Sequence, residues 1–301
     1  MSKRKRPIGL AEGIPPVPEE EIAEAELQNA ILAAKFTPQD EDIGGLGDGT
    51  AMVHFDVPAV KALQYKKGIK QGEKPLLFLY LCIRGLGETP RLMLAECGAA
   101  YCHLASPMGE NQNIACEWRK RSPNGLTPMM SGLGIPRDRP ICQSGTIVRY
   151  LANRYGMAGE SEDDQARADM LYQTVKDLSA KKSEIMARAE NHLEEFTTAG
   201  AKGPVMTAEN IVAMLEEMPD VSDPDAALNY GQIELLNLLL GIEEDAPGSV
   251  RSLSEALDDF RAAAEARPRI ANYLKSPMRF PAITPSYRYK KGAVKRSALA
   301  L

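Results

Sequence analysis

Hydrophobic and polar positions change rhythm twice along this chain. From residue 1 to 72 only one stretch is periodic: Ile22, Leu27, Ala30, Ile31 and Ala34 recur at helical spacing and predict one amphipathic helix. A lone helix of this kind must bury its apolar face on the body of the protein or on a partner. It is flanked by the Pro-rich Ile14-Pro15-Pro16-Val17-Pro18 and by the Gly-rich break Gly44-Gly45-Leu46-Gly47-Asp48-Gly49. Residues 1–72 therefore read as an extended N-terminal arm.

The second regime runs over residues 73–157. Pro75–Cys82 is a short continuous apolar run, as a strand buried on both faces requires. After Arg84-Gly85-Leu86-Gly87, the triplet Thr89-Pro90-Arg91 predicts a helix capped by Thr89 with proline at its first position, ending at Gly98. Tyr101–Leu104 reads as a second strand. Pro128-Met129-Met130 and Pro140-Ile141-Cys142 bracket a Gly/Pro-rich turn and predict a hairpin. Ser144 is then the expected cap of a helix with face Ile147, Val148, Leu151 and Tyr155, stopped by Gly156. Strand, helix, strand, hairpin, helix is the layout of a small thioredoxin-like α/β domain.

The third regime, residues 158–283, is helical. Asp163–Arg188 carries Met170, Leu171, Val175, Leu178 and Ile185 on one side, and Thr207–Met218, Gly231–Leu240, Ser252–Ala266 and Pro268–Leu274 follow. Ser252-x-x-Glu255 spells a capping box. The expected architecture is an α/β domain followed by an all-α domain, with terminal extensions.

Composition narrows the class. A hydrophobic fraction of 44% and a charged fraction of 26% suit a soluble globular protein, and no apolar run approaches the roughly 20 residues that span a bilayer. A net charge of -5 gives no reason to expect nucleic-acid binding. Charge is uneven, however. Lys3–Arg6 is basic, Glu19–Glu21 acidic, and the tail 284–301 carries Arg288, Lys290, Lys291, Lys295 and Arg296. Such runs are usually solvated tails, and less often arms that dock on another protein, an acidic surface or nucleic acid. The 5 cysteines show no paired-ligand spacing and there are 3 histidines, which argues against a metal site or disulfide framework and suits a reducing, cytoplasmic compartment. The N-terminus has no apolar core of a secretory signal.

Three blocks carry a resemblance: LYLCIRGLGETPRLMLAECG at 79–98, ICQSGTIVRYLANRYGMAGESEDDQARADMLYQTVKDL at 141–178, and RPRIANYLKSPMRFPAI at 267–283. In this order and spacing the chain resembles the cytosolic glutathione transferases, and most closely their sigma class, which includes prostaglandin D synthases. The resemblance implies the glutathione transferase fold, a homodimer, and detoxification-type chemistry in which glutathione attacks, or helps isomerise, a small hydrophobic electrophile.

It also implies a site. Tyr80, at the end of the first strand, takes the place of the family's thiol donor; read alone it is more often a core tyrosine whose hydroxyl merely reaches solvent. The thiol of glutathione resembles that of cysteine, with a pKa of about 8.5, and a donor aimed at the sulfur favours the thiolate. Gln143 and Ser144 match the residues that hold the γ-glutamyl carboxylate at a helix N-terminus, although Ser144 would serve equally as an ordinary cap. Thr127-Pro128 matches a cis-proline that exposes backbone to the cysteinyl part; the alternative is a trans loop proline. Trp118 and Lys120 match residues holding the glycine carboxylate, or belong to a solvated charge run. Asp177 matches an acid lent across the dimer interface, or is a surface carboxylate.

Some positions depart from the family. Leu86 stands where an arginine often supports the tyrosine, and Leu126 where a polar side chain contacts glutathione. Asn229-Tyr230-Gly231-Gln232 replaces a Ser/Thr-x-x-Asp cap, and an insertion at about 197–227 falls near the expected co-substrate pocket. The Leu86 and Leu126 departures, the insertion and the arms support an alternative reading, a transferase-like structural or adaptor subunit of a larger assembly.

Overall fold

The computed structural model describes residues 52–53, 76–81, 83–99, 101–106, 122–136, 138–188, 204–276 and 279–280. Two compact units emerge. The first takes the chain up to Gly156 and regains it over Ala271–Pro281; the second comprises Met157–Ile270. The sequence reading placed residues 158–283 together in the helical domain, whereas Ala271–Pro281 cluster with the first unit.

The first unit is built on a five-stranded sheet of order β1-β3-β2-β4-β5. Its strands are β1 (Met52–Val53), β2 (Leu77–Leu81), β3 (Cys102–Ser106), β4 (Met129–Ser131) and β5 (Ile141–Cys142). β2 and β3 run parallel, and the pairs β1–β3, β2–β4 and β4–β5 are antiparallel. β1 comes from within the stretch read as an arm. A two-residue strand carries too little pattern to be seen in the sequence, and it pairs through backbone alone. Leu77, Phe78 and Leu79 of β2 are fully buried, as the unbroken apolar run requires.

After β2 a 3-10 turn, Gly85–Gly87, leads into α1 (Glu88–Glu96). The helix begins at Glu88, so Thr89 is not its cap and Pro90 lies in its first turn rather than at its first position. α2 (Ser144–Tyr155) likewise starts one residue earlier than a Ser144 cap would allow; Gln143 is the cap and Gly156, at φ 73°, ends the helix. Ile147, Val148 and Leu151 face the core. The β4–β5 hairpin forms as expected, and Tyr150 donates its hydroxyl to the Leu133 carbonyl in its turn.

The second unit centres on α3 (Glu162–Arg188) and α5 (Tyr230–Asp245). Around them stand α4 (Pro204–Leu215), α6 (Ser249–Leu253) and α7 (Glu255–Ala266); the return to the first unit falls inside α8 (Pro268–Lys275). α3 opens on a reciprocal pair: the Ser161 N–H donates to Asp164 Oδ2 and the Asp164 N–H to Ser161 Oγ, each at 3.0 Å. The bond from the Ser161 N–H first, and the Ser161 side chain next, hold the Asp164 carboxyl below its ordinary value. Leu171, Val175 and Leu178 are buried as expected, whereas Met170 is exposed and Ala168 and Tyr172 take its place in the core. A Cβ on Gly231 would lie 2.6 Å from the Ala168 carbonyl oxygen, so α5 meets α3 where only glycine fits. Tyr230 donates to Asp169 (2.9 Å) and Lys182 to the Gly241 carbonyl (3.1 Å) and Asp245 (2.6 Å), tying the two helices along their length.

One cap stands as read and one does not. Asn229 and Gln232 form a complete capping box, each side chain accepting from the other's backbone N–H, so the cap that departs from the family spelling is fully formed. The cap of α7 is Ser254, which accepts from Leu257 N, while Ser252 Oγ bonds back to the Gly248 carbonyl within α6. The Ser252-x-x-Glu255 spelling is therefore not the box.

Candidate glutathione site

Three of the expected site residues meet at one end of the sheet. The β2–β4 ladder pairs Leu77 with Ser131, Phe78 with Met130 and Leu79 with Met129, so its next step sets Tyr80 opposite Pro128. The β4–β5 ladder pairs Met130 with Ile141 and Met129 with Cys142, so its next step sets Pro128 opposite Gln143. Tyr80 is thus the second-last residue of β2, and Pro128 and Gln143 adjoin the ends of β4 and β5, each one step beyond the last pair of its ladder. Thr127-Pro128 is cis, as the sequence predicts.

Tyr80 is buried, 6% exposed, and its ring lies against the Gly85–Gly87 turn. A Cβ on Gly85 would stand 2.6 Å from Tyr80 Oη, and one on Gly87 would stand 2.5 Å from Tyr80 Cδ1. Both glycines are needed for the ring to sit there. The Leu86 N–H donates to Tyr80 Oη at 3.0 Å. A hydroxyl is donor as well as acceptor, and an N–H on its oxygen polarises the O–H and favours charge on the oxygen. The arginine expected at position 86 is absent, but the chain supplies its support from the backbone. The Leu86 side chain is itself 49% exposed.

Gln143 combines an exposed side chain with a φ of 71° and ψ of 119°, a conformation that disfavours a residue with a Cβ. Local strain of this kind gathers where a backbone is held for a ligand. Its carbonyl accepts from the Ile147 N–H, so Ser144, half-buried, stands in the first turn of α2. The loop before the cis bond is shaped by Asn124, whose Oδ1 accepts from Ser122 Oγ (2.9 Å) and the Leu126 N–H (3.0 Å). Leu126 is 55% exposed.

Asp177 lies on α3 in the other unit and is exposed. Trp118 and Lys120 lie outside the described residues, as do the arm's predicted helix and the basic tail. Within the helical unit, Thr174 of α3 and Asn210, Ala213 and Met214 of α4 line an open hollow of about 480 Å³ with Glu217. Among the described residues no group of three or more His, Cys, Asp or Glu side chains could hold a metal ion, and no helix is long and apolar enough to cross a membrane.

Residues 78–153 match the family model described as Glutathione S-transferase, N-terminal domain. Over most of the length of several glutathione S-transferases the chain is similar to them. It is 28% identical over 203 residues to Glutathione S-transferase P of Caenorhabditis elegans, covering 66% of this chain and 91% of the relative. To Glutathione S-transferase Mu 4 of Mus musculus it is 32% identical over 108 residues, 35% of this chain and 49% of the relative; that match spans about half the relative's length. In fold it resembles the pi-class glutathione S-transferase of Onchocerca volvulus, with a TM-score of 0.56 and 21% identity over 67% of this chain and 92% of the other.

One part of the site was missed in the sequence. Arg91 and Glu88 of α1, together with Tyr273, form a buried polar cluster behind the Tyr80 turn. The spacing Glu88-x-x-Arg91 was the available signal, but an i,i+3 pair on a helix ordinarily marks a solvated face.

Proposed function

We propose that this chain is a glutathione transferase in which Tyr80 stabilises the thiolate of glutathione for attack on a small hydrophobic electrophile. The observation that carries this reading is the seating of Tyr80: a buried phenol near the end of β2, its oxygen already accepting the Leu86 N–H. In the reaction the Tyr80 O–H donates to the sulfur, the thiol proton passes to solvent, and the sulfur forms its bond to the electrophile while a leaving group departs or the adduct takes up a proton. Gln143 and Ser144 would hold the γ-glutamyl end at the start of α2, the Thr127 backbone the cysteinyl part, Trp118 and Lys120 the glycine carboxylate, and Asp177 of a second copy the amine. This assignment includes a homodimer and a reducing, cytoplasmic setting. Taken together, the three blocks resemble the sigma class most closely; the relatives named above are P and Mu.

Turnover of a generic aromatic electrophile with glutathione tests the proposal. Wild type should bind glutathione by calorimetry in the micromolar to low-millimolar range, and Tyr80→Phe should lose about ten- to hundredfold in kcat/KM, the worth of one hydrogen bond to a charged sulfur. Equal activity in both proteins removes Tyr80 from the mechanism.

A specific observation favours a second reading, an adaptor subunit. The two family polar contacts are replaced by Leu86 and Leu126, both substantially exposed. On this reading purification from native source yields the chain in a stoichiometric assembly rather than as a free dimer.

A further inference from the structure

Arg91 has no exposed surface, and its bonds converge on one turn. Nη2 donates to the carbonyls of Ile83 (2.8 Å) and Arg84 (3.0 Å) and to Glu88 Oε2 (2.9 Å). Nε donates to Glu88 Oε2 and to Tyr273 Oη, each at 3.2 Å. Tyr273 lies 182 residues further along the chain and donates its own proton to Glu88 Oε2 at 3.0 Å. The Phe280 ring lies over the guanidinium, its centroid 5.0 Å from Cζ, and Arg279 Nε stands 3.5 Å from Glu88 Oε1.

Stability alone is a poor reason for this cluster, because taking a guanidinium and a carboxylate out of water offsets most of what their attraction returns. Its geometry gives a better one. The Arg84 carbonyl that receives Arg91 also accepts the Gly87 N–H, and the Glu88 N–H closes the same turn on the Gly85 carbonyl. Arg91 and Glu88 thus hold both ends of the turn whose middle residue, Leu86, gives its N–H to Tyr80 Oη.

We propose that Arg91, seated by Glu88 and by Tyr273 from the far end of the chain, is the positioning residue for the Tyr80 hydroxyl. The proposal rests on the reading of Tyr80 as thiol donor and adds what aims it. Arg91 touches no reacting atom; it acts by fixing Ile83–Gly87.

Two variants test it. Arg91→Lys keeps a charge, but one ammonium cannot reproduce a planar fork serving two carbonyls, a carboxylate and a phenol. Tyr273→Phe removes a single hydroxyl. Hydrogen exchange of the apo protein over 83–87 is expected to quicken about tenfold in Arg91→Lys and about threefold in Tyr273→Phe. The pH at which kcat/KM reaches half its plateau should rise, lowering kcat/KM about tenfold below that midpoint while glutathione affinity changes less than about threefold. Unchanged exchange together with an unmoved midpoint in a folded variant overturns the proposal; if Arg91→Lys does not fold, Tyr273→Phe decides it by the same readouts. Because exchange is read without glutathione, a wild type inert to glutathione sinks the transferase reading and leaves positioning to be decided by exchange.

Discussion

The backbone N–H of Leu86 donates to the phenolic oxygen of Tyr80 at 3.0 Å. The bond needs no particular side chain at position 86, which explains how a leucine can stand where a supporting arginine was expected. It needs the turn instead, and the turn needs its glycines. Tyr80 is therefore held by what its neighbours lack.

Gly87→Ala tests this directly. Gly87 has φ −91° and ψ −13°, a backbone any residue adopts, so the substitution adds only a methyl group. That methyl would lie 2.5 Å from Tyr80 Cδ1 and 3.1 Å from Arg91 Nη1. Neither neighbour is a loose chain end, so the ring must move. Overpacking of this kind costs about 1–3 kcal/mol, and denaturant melts should show it. We expect kcat/KM with glutathione to fall at least about tenfold. Wild-type turnover in Gly87→Ala would mean that the ring position seen here is not required.

Tyr273 makes a pH prediction. Burial, and then the nearby Glu88 carboxylate, push its hydroxyl well above the ordinary tyrosine value, with Arg91 opposing. The folded protein therefore keeps the proton where the unfolded chain, titrating near about 10, releases it. Above that pH the unfolded state binds fewer protons, so stability falls as pH rises. The contribution is whole below pH of about 10 and declines upward from there. Denaturant midpoints measured across this range should drop in wild type and drop less in Tyr273→Phe. Parallel curves would place the alkaline loss elsewhere.

How much of this was legible in the sequence depends on range. The β2 run, the hairpin, the Gly156 stop and the cis Thr127-Pro128 bond are local or motif-borne, and all stand as read. Helix starts were misplaced at Thr89, Ser144 and Ser252, because a cap is chosen by the backbone angle of one residue and several nearby residues can serve. β1 was invisible, being two residues whose partners are 51 and 53 positions away. The Arg91–Glu88–Tyr273 cluster was invisible for a related reason: nothing within reach of Arg91 in the sequence announces that position 273 will cover it. Tyr80, Pro128 and Gln143 were foreseen as a set of residues, while the strand register puts their neighbours Leu79, Met129 and Cys142 side by side.

Asn229→Ala should weaken the helical unit. Asn229 Oδ1 accepts from the Gln232 N–H at 2.9 Å, and Gln232 Oε1 accepts from the Asn229 N–H at 3.0 Å. Removing the amide leaves a buried N–H at the start of α5, a helix whose face is almost wholly buried. The expected loss is about 1–2 kcal/mol, read as a shift in denaturant midpoint with unchanged slope. Asn229→Ser keeps an acceptor and should recover most of it. An Ala variant as stable as wild type would show that the box contributes nothing to α5.

Arg267 organises the return from the insertion. Its Nη1 donates to the carbonyls of Val221 and Asp223, each at 3.0 Å, and its Nη2 to that of Ala226 at 2.8 Å. The loop has turns of its own, with Asp220 accepting from the Ser222 N–H and Asp223 from the Asp225 N–H, but those are exposed and short. Three carbonyls brought to one guanidinium fix the loop's path to Asn229. Arg267→Ala should cost about 3 kcal/mol, since a hydrogen bond from a charged donor is worth roughly 1.5–3 and the three share one side chain. Arg267→Lys should restore only part, because an ammonium cannot match the fork. Hydrogen exchange over residues 219–228 should quicken in both, and more in the alanine variant. Exchange unchanged in Arg267→Ala would leave the loop held by its own turns and the guanidinium without a structural role there.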